Sequence, residues 1–218
     1  MAISTFFSTP FYRERIDAKE LSGQLKTTCL KLGTADYEKP NPPQGKTENV
    51  FESRFDFLEL EDPSIIRLKS EITRRLISVI ATVNNADPTS FWTLPFRCHS
   101  WFHITTFGGY FRPHTHPLAS WSAVYCVDRG SPAVELSNGQ RGDVVFYDPR
   151  GNASMFLDRT NRQMRRELSF NSFKISLETG DLLIFPSYLT HFVEPYMGKR
   201  ERITVAANFW VEEYGNAE

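Results

Sequence analysis

The 218-residue chain is poor in cysteine, with three, and carries only five histidines and four methionines. Cys29, Cys98 and Cys126 are odd in number, far apart and in no CxxC pattern, which excludes a disulfide scaffold and fits a reduced, cytoplasmic protein. No uncharged apolar run approaches the ~20 residues that a membrane helix needs. The opening MAISTFFSTPFYRER lacks the basic region and long apolar stretch of a signal peptide. A net charge of −1 supplies no global field for nucleic acid or an anionic membrane, so neither is an expected partner. A soluble monomer or small oligomer, a homodimer included, is what these absences leave.

What is abundant is aromatic: 14% of residues, 18 of them Phe. Aromatic and β-branched enrichment favours sheet. The chain reads as one domain, 1–218, with a helical part over 1–90 and a β core over 91–212. In the first part, Asp17 and Glu20 form a capping box, Leu21, Leu25, Cys29 and Leu32 make a helical stripe, and Gly33 is placed to end it. Residues 34–49 read as a loop. Asp62 and Pro63 open a second helix whose apolar face is Ile65, Leu68, Ile72, Leu76, Val79 and Val83, with Lys69, Arg74 and Arg75 opposite. From residue 92 the period becomes that of strands, expected at 99–107, 120–128, 142–147, 172–178, 181–186, 191–196 and 202–211. Few helical stretches separate them, so the class is α+β, mainly β, with an antiparallel jelly-roll or barrel core and the N-terminal helices packed on one sheet. The Arg-rich stretch 151–171 is either a solvated loop or a lid, and Arg159, Arg162, Arg165 and Arg166 offer a cationic cluster there.

The histidines are informative by placement. His114 and His116 lie in GGYFRPHTHPLASWSAVYCV, and strand neighbours at i and i+2 share a face. His191 follows a turn and a buried apolar run in GDLLIFPSYLTHFVEPY. Three imidazoles can hold a metal and leave positions open, though they suit iron, zinc, copper and nickel alike. Arg202 and Thr204, opening RITVAANFW, share a face; the arginine fork suits a carboxylate. His103 alternates with Trp101 and Thr105 and is either a structural or a cavity residue; His99 has no supporting context. Trp121, Ser122 and Asn208 are weaker candidates for the pocket wall.

The pieces WF before GG, HxHP, SWSAVYCV, FYDPR, GDLLIFPSYLTHFVEPY and RITVAANFW, spread over roughly residues 100 to 211, resemble the iron(II)/2-oxoglutarate-dependent oxygenases, and within them a small bacterial and phage group. The resemblance implies a cupin-like double-stranded β-helix, an iron(II) centre at His114, His116 and His191, and 2-oxoglutarate as co-substrate. It implies that Arg202 binds the distal carboxylate, that Thr204 assists, and that Tyr125 sits where relatives place a cosubstrate-binding side chain. The implied activity is hydroxylation of a small-molecule or peptide substrate with release of succinate and CO2. The usual HxD or HxE carboxylate is absent, His116 standing in its place. The centre therefore uses three histidines, or two with water, or a carboxylate from elsewhere, for which Asp143 and Asp148 are candidates. The aspartyl/asparaginyl β-hydroxylases have a similar PHT segment without that carboxylate. A three-His cupin enzyme such as a thiol dioxygenase is the alternative, although no Glu follows His116 at the cupin spacing, Tyr188 stands where Gly is expected, and Arg202 has no task there. A non-catalytic metal-binding jelly roll is the third reading.

Overall fold

The computed structural model describes residues 5, 7–16, 19–40, 48–151, 158–165, 168–169 and 172–211. Among these residues ten strands make two antiparallel sheets. The larger contains β1 (Tyr12–Arg15), β8 (Asp181–Pro186), β5 (Trp121–Asp128), β10 (Arg202–Val211), β3 (Phe96–Thr105) and β2 (Val50–Glu52), in that order across the sheet. The smaller runs β4 (Gly109–His114), β9 (His191–Tyr196), β6 (Val144–Phe146) and β7 (Phe173–Ile175). The sheets face one another as the expected double-stranded β-helix, and two helices, α1 (Glu20–Leu32) and α2 (Pro63–Asn84), cover the outside of the larger one.

The pleat of the larger sheet separates two cores, because successive side chains point to opposite faces. Ala123, Tyr125 and Val127 of β5, Leu182 and Ile184 of β8, and Ile203, Val205, Ala207 and Phe209 of β10 pack against Leu21, Leu25, Leu68, Ile72 and Leu76 of the helices. The alternate residues Cys126, Leu183 and Phe185 pack against Val144, Phe146 and Ile175 of the smaller sheet. Both faces of β5 and β8 are thus largely buried, and these two strands read as nearly continuous apolar runs.

Helix α2 begins as expected. Asp62 Oδ1 accepts from the Ser64 and Ile65 amides at 2.8 and 3.3 Å, and Pro63 supplies the first turn. Two expectations on this helix change. Val83 is exposed, and Arg75 is buried, held by Glu71 and by Glu14 of β1. The Asp17 part of the capping box lies outside the described residues; α1 starts at Glu20. Gly33 does follow α1, but at φ −71°, so no left-handed turn requires it. A Cβ there would stand 2.6 Å from Ile104 Cδ1, and close approach to the sheet accounts for the glycine instead.

The first third is less helical than expected. β1 pairs with β8, and Arg13 and Arg15 clamp the buried Asp181 at 2.6 and 3.0 Å. β2 pairs with β3, setting Glu52 opposite His103. Strand β4 was also unexpected, since Pro113 and two register shifts interrupt its pairing with β9. Of the stretch 151–171, residues 152–157, 166–167 and 170–171, Arg166 among them, lie outside the described residues; residues 159–163 form turns.

Candidate metal centre

His114 and His191 are direct cross-strand partners in the β4–β9 ladder, which brings together residues far apart in sequence. His116 lies just past the end of β4, so the shared-strand argument for the HxH pair does not hold. Its position is fixed instead by its own backbone amide, which donates to the Ser187 carbonyl at 3.1 Å. The three rings nevertheless converge, with one ring nitrogen from each within 4.8 Å of the others and His116 Nε2 3.3 Å from His191 Nε2. An ion bound about 2.1 Å from each nitrogen in a facial set spaces the donors about 3 Å apart. One pair already stands near that spacing; ring rotation closes the rest.

Two of the rings have their tautomers set by the backbone. His114 Nδ1 lies 2.7 Å from the Arg112 carbonyl and His191 Nδ1 lies 2.9 Å from the Leu189 carbonyl. A carbonyl only accepts, so both Nδ1 atoms carry the proton and both Nε2 lone pairs are free for a metal. Burial, reinforced by the neighbouring histidines, pushes His116 down to about 3 and His191 down to about 4. These two rings are neutral near pH 7. The donor set is that of a cation site. Among the described residues it is the one group of three or more such donors, and neither Asp143 nor Asp148 joins it. Asp148 is engaged by Arg150.

That neutrality has a stability consequence. Unfolded histidine takes up its proton near pH 6.5, whereas the folded chain refuses it until about 4 and about 3 at these rings. The stabilisation is whole above pH 6.5 and is withdrawn as the pH falls through that window. In metal-free protein the urea midpoint is expected to drop between pH 6.5 and 4, and the drop to shrink in a His116→Gln/His191→Gln double variant. An unchanged slope in that variant rejects the assignment.

The rings open on a cavity of about 230 Å3. Arg202, Thr204 and Ala206 line it from one face of β10, with Val124 of β5, Val144 and Val193 forming apolar wall. Arg202 is 4% exposed, and burial holds its guanidinium below the usual arginine range. Among the described residues it makes no ion pair. Cys126, Asp143 and Tyr196 favour its charge only through space. Gly142, at φ +68°, lies against it; a Cβ there would stand 3.1 Å from Arg202 Nε. Thr204 is buried beside it as the shared face requires.

Tyr125 is a correction. It is 0% exposed, its ring is in the helix-side core, and its hydroxyl lies 2.7 Å from Ser22 Oγ of α1. Cross-strand partners share a face, and Tyr125 pairs with Val205 while Cys126 pairs with Thr204. Tyr125 therefore points away from the cavity, and Trp121 packs on the same helix-side core. Tyr125→Phe should lower stability by about 1–3 kcal/mol, by stripping a buried hydroxyl of its partner. It should leave cosubstrate affinity unchanged; a loss of affinity measured by calorimetry would restore the tyrosine to the site.

Other side chains enter from places the sequence did not mark. Glu52, from the unexpected strand β2, lines the cavity with Lys39 and Phe55. Glu52 Oε2 lies 2.9 Å from His103 Nε2, to which Trp101 Nε1 also approaches at 3.0 Å. His103 thus serves both as structural partner and as cavity wall, and burial lowers its pKa. His99 stays outside, against Trp210. Asn208 meets His116, and Ser122 donates to Asn208 from behind it. Burial pushes the Cys98 and Cys126 thiols up to about 12, which disfavours the thiolate. No helix among the described residues is long and apolar enough to cross a membrane.

Residues 99–208, half of the chain, match the family described as "Putative 2OG-Fe(II) oxygenase". No curated protein sequence matches significantly. Among solved structures, a prolyl-4-hydroxylase from Pseudomonas putida aligns at TM-score 0.62 and 14% identity, covering 94% of each chain. A Trichoplax adhaerens prolyl hydroxylase, solved with a peptide fragment of the hypoxia inducible factor oxygen degradation domain, aligns at TM-score 0.59 and 12% identity, over 92% of this chain and 83% of that one. HygX from Streptomyces hygroscopicus, solved with nickel, 2-oxoglutarate and hygromycin B, gives TM-score 0.58 and 12% identity over 93% and 83%. At these identities the likeness is one of fold.

Proposed function

Because the chain belongs to the 2OG-Fe(II) oxygenase family, we propose that His114, His116 and His191 hold iron(II) and that Arg202 anchors 2-oxoglutarate beside it. The observation that carries this reading is the buried Arg202 guanidinium without an ion-pair partner, facing the same cavity as three convergent imidazoles. A guanidinium taken out of water and left unpaired is unfavourable by several kcal/mol. Such a residue is kept where an incoming anion completes the pair, and a carboxylate fits its planar fork.

Bound there, iron(II) with 2-oxoglutarate and dioxygen supplies oxidative decarboxylation to succinate and CO2, coupled to hydroxylation of a second substrate. The protein's own part is positional. Arg202 takes the distal carboxylate and Thr204 adds its hydroxyl, so the 2-oxo end is directed toward the histidines. His114 and His191 present fixed Nε2 lone pairs. Val124, Val144 and Val193 keep that end of the cavity dry, which strengthens the Arg202–carboxylate pairing. The second substrate is a small molecule or a peptide or protein side chain.

A three-His dioxygenase without 2-oxoglutarate leaves Arg202 buried with no task. The test is to supply iron(II), 2-oxoglutarate, ascorbate and oxygen and to follow succinate. Slow succinate release without added second substrate supports the reading. Iron binding with no succinate, and no effect of 2-oxoglutarate on the metal's absorption spectrum, overturns it.

A further inference from the structure

His116 occupies the place of the usual carboxylate, and its hydrogen bonds contain a conflict. Its Nδ1 lies 3.1 Å from Asn208 Nδ2, and its Nε2 lies 3.3 Å from His191 Nε2. An amide nitrogen only donates, so His116 Nδ1 accepts and the proton of the neutral ring sits on Nε2. His191 can accept that proton's hydrogen bond, since its own proton is committed to the Leu189 carbonyl. The set is self-consistent, with Ser122 Oγ donating to Asn208 Oδ1 at 2.9 Å and standing 2.8 Å from Ser187 Oγ. In that arrangement, however, His116 offers a metal an N–H rather than a lone pair.

The same heavy atoms permit the reverse. With the Asn208 amide turned by half a revolution, its oxygen faces His116 Nδ1 and its nitrogen faces Ser122 Oγ. His116 Nδ1–H then donates to Asn208 Oδ1, Asn208 Nδ2–H donates to Ser122 Oγ, and Ser122 donates to Ser187. Every partner is satisfied again, and His116 Nε2 is bare. The two amide orientations are nearly isosteric, and hydroxyls reorient freely. Ser122 and Ser187 are both buried, 2% and 1% exposed, so water is excluded as a substitute partner for either.

We infer that Asn208, backed by Ser122 and Ser187, is the positioning residue that makes His116 the third ligand, through reversal of its amide and a tautomer exchange in His116. The inference rests on the metal centre proposed above. It assigns a task to a polar chain, half-buried at Asn208 and buried at Ser122 and Ser187, that neither the metal nor the cosubstrate touches. It also answers how a histidine replaces the carboxylate: an acid needs no tautomer, whereas His116 needs a partner that can accept from Nδ1.

The experiment titrates chelator-treated protein with cobalt(II), following affinity by calorimetry and coordination by the visible absorption bands. Asn208→Ala removes the acceptor and should weaken cobalt binding by roughly 10–100-fold, as loss of an outer partner does elsewhere, with altered bands. Asn208→Asp keeps the acceptor, cannot donate, and locks the ligating tautomer; its affinity should equal or exceed that of the wild type. Histidine 15N shifts should show the His116 proton on Nδ1 in zinc-loaded protein and on Nε2 without metal. If Asp is as harmful as Ala, or if both Asn208 variants bind cobalt like the wild type, the inference is overturned while the metal centre stands. If wild-type protein binds no metal, the proposed function fails with it.

Discussion

Arg202→Met is expected to weaken 2-oxoglutarate binding by roughly thirty- to several-thousand-fold while leaving the folded chain no less stable. The affinity loss follows from the about 2–5 kcal/mol that truncating one member of a buried charge pair costs. The stability outcome follows from the other side of the same residue. Without cosubstrate, Arg202 is a 4% exposed cation, and burial already disfavours its charged form. Methionine fills similar space without needing to be charged, so the unfavourable term disappears. Wild-type protein should gain thermal stability when 2-oxoglutarate is added, by mass action, and the variant should gain none. A variant that melts far lower than wild type, or that still binds 2-oxoglutarate tightly, would show that Arg202 is a structural residue.

The second large effect concerns the metal. His191→Gln should lose nickel(II) or iron(II) affinity by more than the roughly 10–100-fold that outer-partner changes produce, and His114→Gln should do the same. These two rings are cross-strand partners with the same Nδ1-to-carbonyl arrangement, so equal losses are expected. His103→Gln is the control. That ring lines the cavity but is engaged by Glu52 and Trp101 outside the cluster, and its replacement should change metal affinity by less than threefold. Isothermal titration of all three variants decides it. A His191→Gln protein that retains wild-type affinity places the metal elsewhere.

The residues that carry these predictions were visible in the sequence to an uneven degree. The HxH pair, the late histidine and the arginine were legible because each is a chemically rare residue beside a strong strand signal. β8, β9 and β10 begin and end where alternation and turn residues put them. The Asp62–Pro63 start of α2 was legible for the same local reason.

What failed at Tyr125 was the choice of which face of its strand is turned to the cavity. The run SWSAVYCV is buried on both sides, so no polar alternation marks the face of Tyr125. Only the register against β10, set by distant pairing, turns it toward α1. β1 and β2 were missed because four- and three-residue strands carry too little period to stand against neighbouring helices. With β2 went Glu52. Asn208 was recognised as an inward candidate, but its role depends on a proton position, which no spacing encodes.

The pairing of His114 with His191 also bears on the order of events in folding. The cluster unites residues on either side of the β5, β6, β7 and β8 strands, so its donors meet only after the smaller sheet has closed its β4–β9 ladder. Contacts of such long sequence separation form late and slowly. An ion seated on them therefore has nothing to grip during the early stages of collapse. Its grip is exerted after the climb, where it lengthens the life of the native state by retarding its opening and leaves the rate of assembly largely as the chain alone dictates.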